Sequence, residues 1–422
     1  MSEEWKSFFK IGNINRKYYI KKKITRNIKD IKDNKTKNKI NVNKKKKYKK
    51  SFGTNKSYKI KNIERQSTKL LLIFILVFLP IFLNKEIKVR KLIFTYDIKI
   101  TINKSGNQKI LSDTFENSPN SISINGQSQY EIKKEYNLES ETNTIIMKWN
   151  DLENCNEMFK DLSNIDSIEF SNFESANILQ MASMFYGCSG LTELNLEGVN
   201  TGNVIDLSHI FDGCSSLISL NLDNWDLRKV NNMDSMFSRC SSLTTLNLNF
   251  EYSTESLTIM THIFRECNSL QSLDLRKFDT SKVEDFAGLF YNCNALKSID
   301  LNSFITDSVN SFWHIFYGCN SLESLDINHF NVSKVKDMSS CFENCKKLKT
   351  LNLSNFETPN LINMWGMFHG CTNLESIDLS KFDTSQVTDM SSTFQECSSL
   401  KSLDLTNFIT TNLKSIWRIV IH

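Results

Sequence analysis

The sequence predicts an α/β solenoid: ten short rungs, each with one parallel β-strand and one short helix, behind a small N-terminal β cap and a disordered basic tail. Three observations predict it. Phe and Cys, three residues apart, recur on a 26-residue beat through more than half of the chain. Leucines alternate with polar residues shortly after each Cys, as in Leu273-Asp274-Leu275, which is the period of a strand with one buried face. Before each Cys, apolar residues fall at steps of three and four, the period of a helical stripe.

The chain begins with its most charged segment. Residues 1–69 carry 24 Lys and Arg against 5 Asp and Glu, whereas residues 84–422 carry 28 against 42. The overall charge of +5 therefore averages two unlike pieces. NKTKNKINVNKKKKYKK (34–50) has almost nothing to bury and reads as disordered. No folded nucleic-acid module accompanies it, so no nucleic-acid partner is expected.

LLLIFILVFLPIFL (Leu70–Leu83) is a run of 14 residues without a polar side chain. As a helix it reaches about 21 Å, short of the roughly 30 Å hydrocarbon core, with Lys69 and Lys85 placed to snorkel. The basic flank lies on its N-terminal side, which keeps the tail inside and exports the remainder. The segment reads as an uncleaved signal anchor, a transmembrane segment that leaves the rest at the cell surface or in the secretory pathway. The alternative is a cytoplasmic chain in which the segment is not inserted.

Residues 91–150 have a different texture. KLIFTYDIKITI, SISINGQ and TNTIIMKW alternate apolar and polar residues around Gly and Asn, the signature of antiparallel strands and tight turns. A solenoid needs its first hydrophobic edge covered, so this region is assigned as a β-rich cap.

The rungs follow over 158–416. Cysteines stand at Cys188, Cys214, Cys240, Cys267, Cys293, Cys319, Cys345, Cys371 and Cys397; every step is 26 residues except the 27 between Cys240 and Cys267. Phenylalanines keep the same beat at Phe185, Phe211, Phe237, Phe264, Phe290, Phe316, Phe342, Phe368 and Phe394, and Phe159 adds a first rung with Leu162 in the Cys position. A period of this length with L-x-x-L-x-L is the leucine-rich-repeat pattern. In Leu270–Cys293, Leu273 and Leu275 form the strand, Ser281-x-x-Glu284 reads as a capping box, and Val283, Phe286, Phe290 and Cys293 form the inward helical stripe. A single rung buries too little to offset the ordering of its backbone, so the array is stable only collectively. After Leu413 and Ile416, residues 417–422 read as a truncated end without a cap.

LESIDLSKFDTSQVTDMSSTFQEC (374–397) resembles the repeat of the BspA-like leucine-rich-repeat surface proteins of bacteria, mycoplasmas and protists. The resemblance covers about 158–416 and implies a surface-exposed protein used for adhesion or protein binding.

Reactive chemistry is sparse. The nine ladder cysteines occupy one inward slot on successive rungs, where free Cys packs as a small hydrophobe; Cys155 and Cys341 are off-register and open to exposure. Cys341 and Cys345 have no His nearby, and His209, His262 and His314 recur on alternate rungs as polar helix positions, so no metal is expected. Neither a nucleophile motif nor a phosphate loop occurs; no enzyme activity and no cofactor are expected. The candidate binding surface is the strand face, concave in such solenoids. It presents Asn247, Asp274, Arg276, Asp300, Asp326, Asn352, Asp378 and Asp404, with two readings: a polar stripe for a basic or glycan partner, or a wet outer face of the strands. Trp313 and Trp365, outside the strands, are the alternative patch. The expectation is non-catalytic adhesion to a protein or glycan at a cell surface, or else an intracellular scaffold.

Overall fold

The computed structural model describes residues 96–171, 173, 177–250 and 252–415. The basic tail, the Leu70–Leu83 segment and residues 417–422 lie outside the described residues. No helix among the described residues is long and apolar enough to cross a membrane.

The cap holds β1 (Tyr96–Ile102), β2 (Gly106–Lys109), β3 (Ser121–Ile124), β4 (Gln127–Ser128), β5 (Glu135–Leu138) and β6 (Asn143–Trp149). The β3–β4 hairpin closes on Asn125 (φ 49°) and Gly126 (φ 80°), two left-handed residues as an Asn-Gly hairpin turn requires. In β1, Ile98, Ile100 and Ile102 point inward and are fully buried, opposite Ile145 and Met147 of β6. The other edge of β1 pairs antiparallel with β7 (Ser167–Ser171), the first strand of the repeat, with Ile100 opposite Ile168. β7 then pairs parallel with β8 (Glu193–Asn195). Cap and first rungs thus share one six-stranded sheet in the order β4-β3-β6-β1-β7-β8, and the stack starts from a paired edge.

Beyond β8, strands are short: β9 (Ser219–Asn221) with β10 (Thr245–Asn247), and β11 (Thr350–Leu351) with β12 (Ser376–Ile377). The larger correction concerns the other side of each rung. The expected helix is absent: no α-helix occurs among the described residues, and each helical stripe is a run of turns. The α/β leucine-rich-repeat solenoid with a helix per rung is therefore not the fold. The backbone gives the reason. Two residues per rung, four apart, sit in the left-handed region: Ser183 and Gly187, His209 and Gly213, Gly288 and Asn292, His314 and Gly318. A right-handed helix cannot pass through φ near +55°.

Hydrogen bonds then alternate. Leu289, Tyr291 and Cys293 donate back three residues, to Phe286, Gly288 and Phe290. The residues between them, Gly288, Phe290 and Asn292, donate instead to Trp313, Ile315 and Tyr317 of the next rung, at 2.8, 2.8 and 2.6 Å. The turn wall is thus a ladder of its own, whereas the strand side of the same region contributes single bonds such as Glu323 N to Lys297 O, 3.0 Å. Ser281 caps no helix; its N–H donates to Asp279 Oδ1 at 3.0 Å.

The inward residues are those the periodicity selects. Val283, Phe286, Phe290 and Cys293 are all fully buried. The ten phenylalanines form one column whose neighbouring rings stand 5.3–5.8 Å apart with interplanar angles of 10° or less. The 27-residue step leaves the column intact: Phe237 and Phe264 stack at 5.7 Å and 8°. Its surplus residue falls within residues 246–260, between one strand side and the next turn wall.

Buried threonines tie the corners. Thr280 Oγ1 donates to Ile305 O and accepts from Ile305 N, both at 2.8 Å. Thr201, Thr358 and Thr384 make the same pair of bonds, to Asp226, Asp383 and Ile409. Each hydroxyl replaces backbone pairing where the chain turns too sharply for a strand.

Candidate interaction surfaces

The core consumes the sulfur chemistry. All eleven cysteines are buried free thiols, Cys155 and Cys341 included, which corrects the expectation that those two could be exposed. Each ladder thiol donates to the backbone carbonyl of the Phe one rung back, from Cys188 to Phe159 O at 3.0 Å through Cys397 to Phe368 O at 3.1 Å. Burial pushes the Cys188 and Cys319 thiols up to about 12, far from thiolate reactivity. Among the described residues, no group of three or more His, Cys, Asp and Glu is arranged to hold a metal ion.

On the strand side, Asp274, Arg276, Asp300, Asp326, Asn352, Asp378 and Asp404 are exposed and Asn247 is half-buried. The structure brings the acidic and amide members into one column and gives each a local task. The side-chain oxygen of each accepts the N–H two residues on: Asn247 from Asn249, Asp274 from Arg276, Asp300 from Asn302, Asp326 from Asn328, Asn352 from Ser354, Asp378 from Ser380, Asp404 from Thr406, at 2.9–3.3 Å. These Asx turns end the strand segments. Arg276 folds back onto Asp274, with Nε 2.9 Å from Oδ1, and holds that carboxyl down at about 2. Backbone N–H bonds from Ser380 and Thr406 lower Asp378 and Asp404. Asp274 has its second oxygen engaged as well, by Arg276 Nη2 at 2.5 Å.

A second column on this side went unnoticed in the sequence. Lys297, Glu323, Lys349, Glu375 and Lys401 alternate in sign along the stack, and Lys401 Nζ meets Glu375 Oε2 at 2.5 Å. Sampling every twenty-sixth residue four positions after the Cys finds it.

The turn wall carries the aromatic and ionic side chains that helical reading misplaced. His209, His262 and His314 are not helix positions but left-handed corners, at φ 54°, 55° and 56°. Asp212 is buried, with Arg239 Nε at 2.8 Å and His209 Nδ1 at 2.9 Å. Burial alone would raise the Asp212 carboxyl, but bonds from His209 and Arg239 outweigh it and hold it low. His209 Nε2 also lies 3.3 Å from Asp234, and His262 Nδ1 is 3.9 Å from the same carboxylate. The bond to Asp212 raises His209. Further along, Tyr291 and Tyr317 stack at 4.6 Å, Trp313 lies 4.1 Å from His314, and Arg265 sits 5.0 Å over Tyr291. Trp313 and Trp365 are 40% and 42% exposed, more open than packing alone requires. An open cavity of about 300 Å³, lined by Thr114, Asn117, Asn154, Asn156 and Glu157, lies where the cap meets the first rungs.

Similarity to solved proteins is limited. A leucine-rich-repeat protein of T. pallidum is 20% identical, over 50% of this chain and 74% of that one, with a TM-score of 0.23. A leucine-rich-repeat protein of Eubacterium ventriosum is 14% identical, over 60% and 79%, with a TM-score of 0.26. No curated protein matches the chain. The sequence model of one repeat family matches four overlapping stretches, 153–271, 206–324, 244–348 and 310–420, which together span more than half of the chain. The chain belongs to that family, described as Mycoplasma protein of unknown function, DUF285.

Proposed function

We propose that this repeat protein is a non-catalytic adhesion module, displayed at the cell surface from an anchor at Leu70–Leu83 and docking a protein or glycan through its exposed columns. One observation supports it above the others: the thiols and the phenylalanine column are spent on the interior, while side chains at fixed pitch on two outer faces remain available. Regular outer columns on a stack of rungs suit extended partners. Asp300, Asp326, Asp378 and Asp404 on the strand side are the polar contacts, with Asn247, Asp274, Arg276 and Asn352 completing the stripe. The test is protease treatment of intact cells expressing the full chain. Loss of the 96–415 region before permeabilisation is expected; resistance until permeabilisation would sink surface display.

A second reading has its own support. Eleven buried free thiols suit a reducing compartment, where the same stack would act as an intracellular scaffold. Resistance in the same protease experiment is the result it requires.

A further inference from the structure

The turn wall is divided. Its first half is ionic, with Lys160, Asp212, Asp234, Arg239 and Arg265. Its second half is aromatic and almost uncharged. In the four outward columns that start at Ala287, Gly288, Tyr291 and Asn292 and run to Gly370, Glu343 is the one carboxylate and no Lys or Arg occurs; Asp337 stands in the column beside them, between Ser311 and Asn363. Glu343 is itself 7% exposed, bonded by Ser340 Oγ at 2.5 Å and 3.1 Å from His369 Nδ1. Burial lowers His314, so that ring is neutral at physiological pH.

Within this half, Trp313 and Trp365 occupy the same position two rungs apart, with Ser339, 3% exposed, at that position between them. Two inter-strand steps place them about 10 Å apart. The pitch is fixed from beneath by the stacked rings of Phe316, Phe342 and Phe368, at 5.8 and 5.5 Å. Trp313 is held by His314 alongside and by His262 edge-on at 6.4 Å. An exposed indole backed as Trp313 is loses little freedom when something stacks on it.

We propose that this strip docks a neutral, extended polysaccharide, with Trp313 and Trp365 stacking on two sugar rings of one chain. The proposal rests on the non-catalytic binding reading and names the partner class. Three features select a glycan. The strip has no Lys or Arg to draw an anionic polymer, and its nearest carboxylates, Glu343 and Asp337, are buried and half-buried, so charge contributes little to docking here. The backbone here is already bonded from rung to rung, as in Phe316 N to Cys341 O at 2.9 Å and Gly318 N to Glu343 O at 2.7 Å, leaving no open edge for a peptide strand. A ligand that repeats along its length matches a wall that repeats along its own. Sugar rings have apolar C–H faces for indoles and hydroxyls for a polar rim, here supplied by Ser311, Asn363 and the hydroxyls of Tyr291 and Tyr317.

The experiment is isothermal titration of the full chain with chitohexaose, cellohexaose and heparin. At least one neutral hexasaccharide should bind, with an affinity unchanged between about 0.05 and 0.5 M salt. W313A and W365A should each weaken it at least about tenfold, W313F and W365F should restore part of it, and K133Q, at an exposed position of the cap, should leave it unchanged. Far-UV circular dichroism and unfolding midpoints matching the parent establish that each variant is folded. Absence of binding to both neutral hexasaccharides, binding only to heparin, or binding that survives the W313A/W365A double variant would overturn the proposal. Cell adhesion that persists in the double variant would also overturn it, while leaving the adhesion reading in place.

Discussion

Replacing Thr280 by Val tests the corner ties most directly. The two side chains have the same shape, so the packing of a fully buried residue is preserved. What is lost is the hydroxyl that donates to Ile305 O and accepts from Ile305 N, both at 2.8 Å. Val leaves that N–H and that carbonyl facing methyl groups. Each unsatisfied buried group costs about 1–3 kcal/mol; Ile305 is 44% exposed, so T280V should destabilise the stack by the lower part of the two-group range, about 2–3 kcal/mol. T280S keeps the hydroxyl and loses one methyl, at about 1 kcal/mol. The molecule supplies its own replicates: Thr358 and Thr384 make the same two bonds, so T358V and T384V should behave alike. The assay is urea unfolding followed by far-UV circular dichroism, paired with amide exchange at Ile305, whose protection should fall in T280V and persist in T280S. Fitting must allow for partial unfolding, since repeat stacks need not unfold as one unit. A T280V stability within about 0.5 kcal/mol of the parent, or equal damage from T280S, would refute the role assigned to these hydroxyls.

Further expectations concern sulfur, glycine and protonation. In native buffer none of the eleven cysteines should react with a thiol reagent on the timescale in which all react in denaturant; fast native labelling would contradict their burial. G190A should cost about 1–3 kcal/mol, because a Cβ there would stand 2.3 Å from the Ser163 carbonyl oxygen, and unfolding at equilibrium measures it. His209 is raised by its bond to Asp212. Its contribution is therefore full below the ordinary histidine range and fades as pH climbs through the raised value. Because the His209 side chain is 39% exposed, H209Q should lose no more than about 1 kcal/mol, and the gap from the parent should close towards pH 8. His314, lowered chiefly by burial, works oppositely: H314Q should remove a loss of stability that appears as pH falls. Unfolding midpoints across pH 5–8 check both.

The interior was legible because it depends only on which residues return at the same phase. The Phe and Cys columns, the inward Leu positions and the Asn125-Gly126 hairpin all follow from spacing and turn chemistry. The conformation of the wall was not legible, since a stripe at steps of three and four is satisfied equally by a helix and by a chain of three-residue turns. The deciding signal was weak. Left-handed corners are occupied by Gly or Asn at 187, 213, 288, 292, 318, 344, 366 and 370, but by Ser, His, Arg, Asp or Glu at 157, 161, 183, 209, 235, 239, 262, 266, 314, 340, 392 and 396. The latter pay steric strain that the rung-to-rung bonds offset, which no single-rung reading contains. The strand-side column was found, but its role in capping turns appeared only with the geometry. The aromatic wall was displaced in meaning: Trp313 and Trp365 read as flanks of a helix, and they stand open on a flat ladder.

The 27-residue step shows where this architecture tolerates editing. One surplus residue sits at the bend between Leu246 and Met260, and the rings on either side keep their 5.7 Å contact. Length can therefore vary at that bend without propagating to neighbouring floors of the stack, whereas a single residue added between a corner and its Cys would shift the phase of everything stitched above it. Loops that diversify an outer surface, or an epitope tag introduced by an experimenter, belong at these bends.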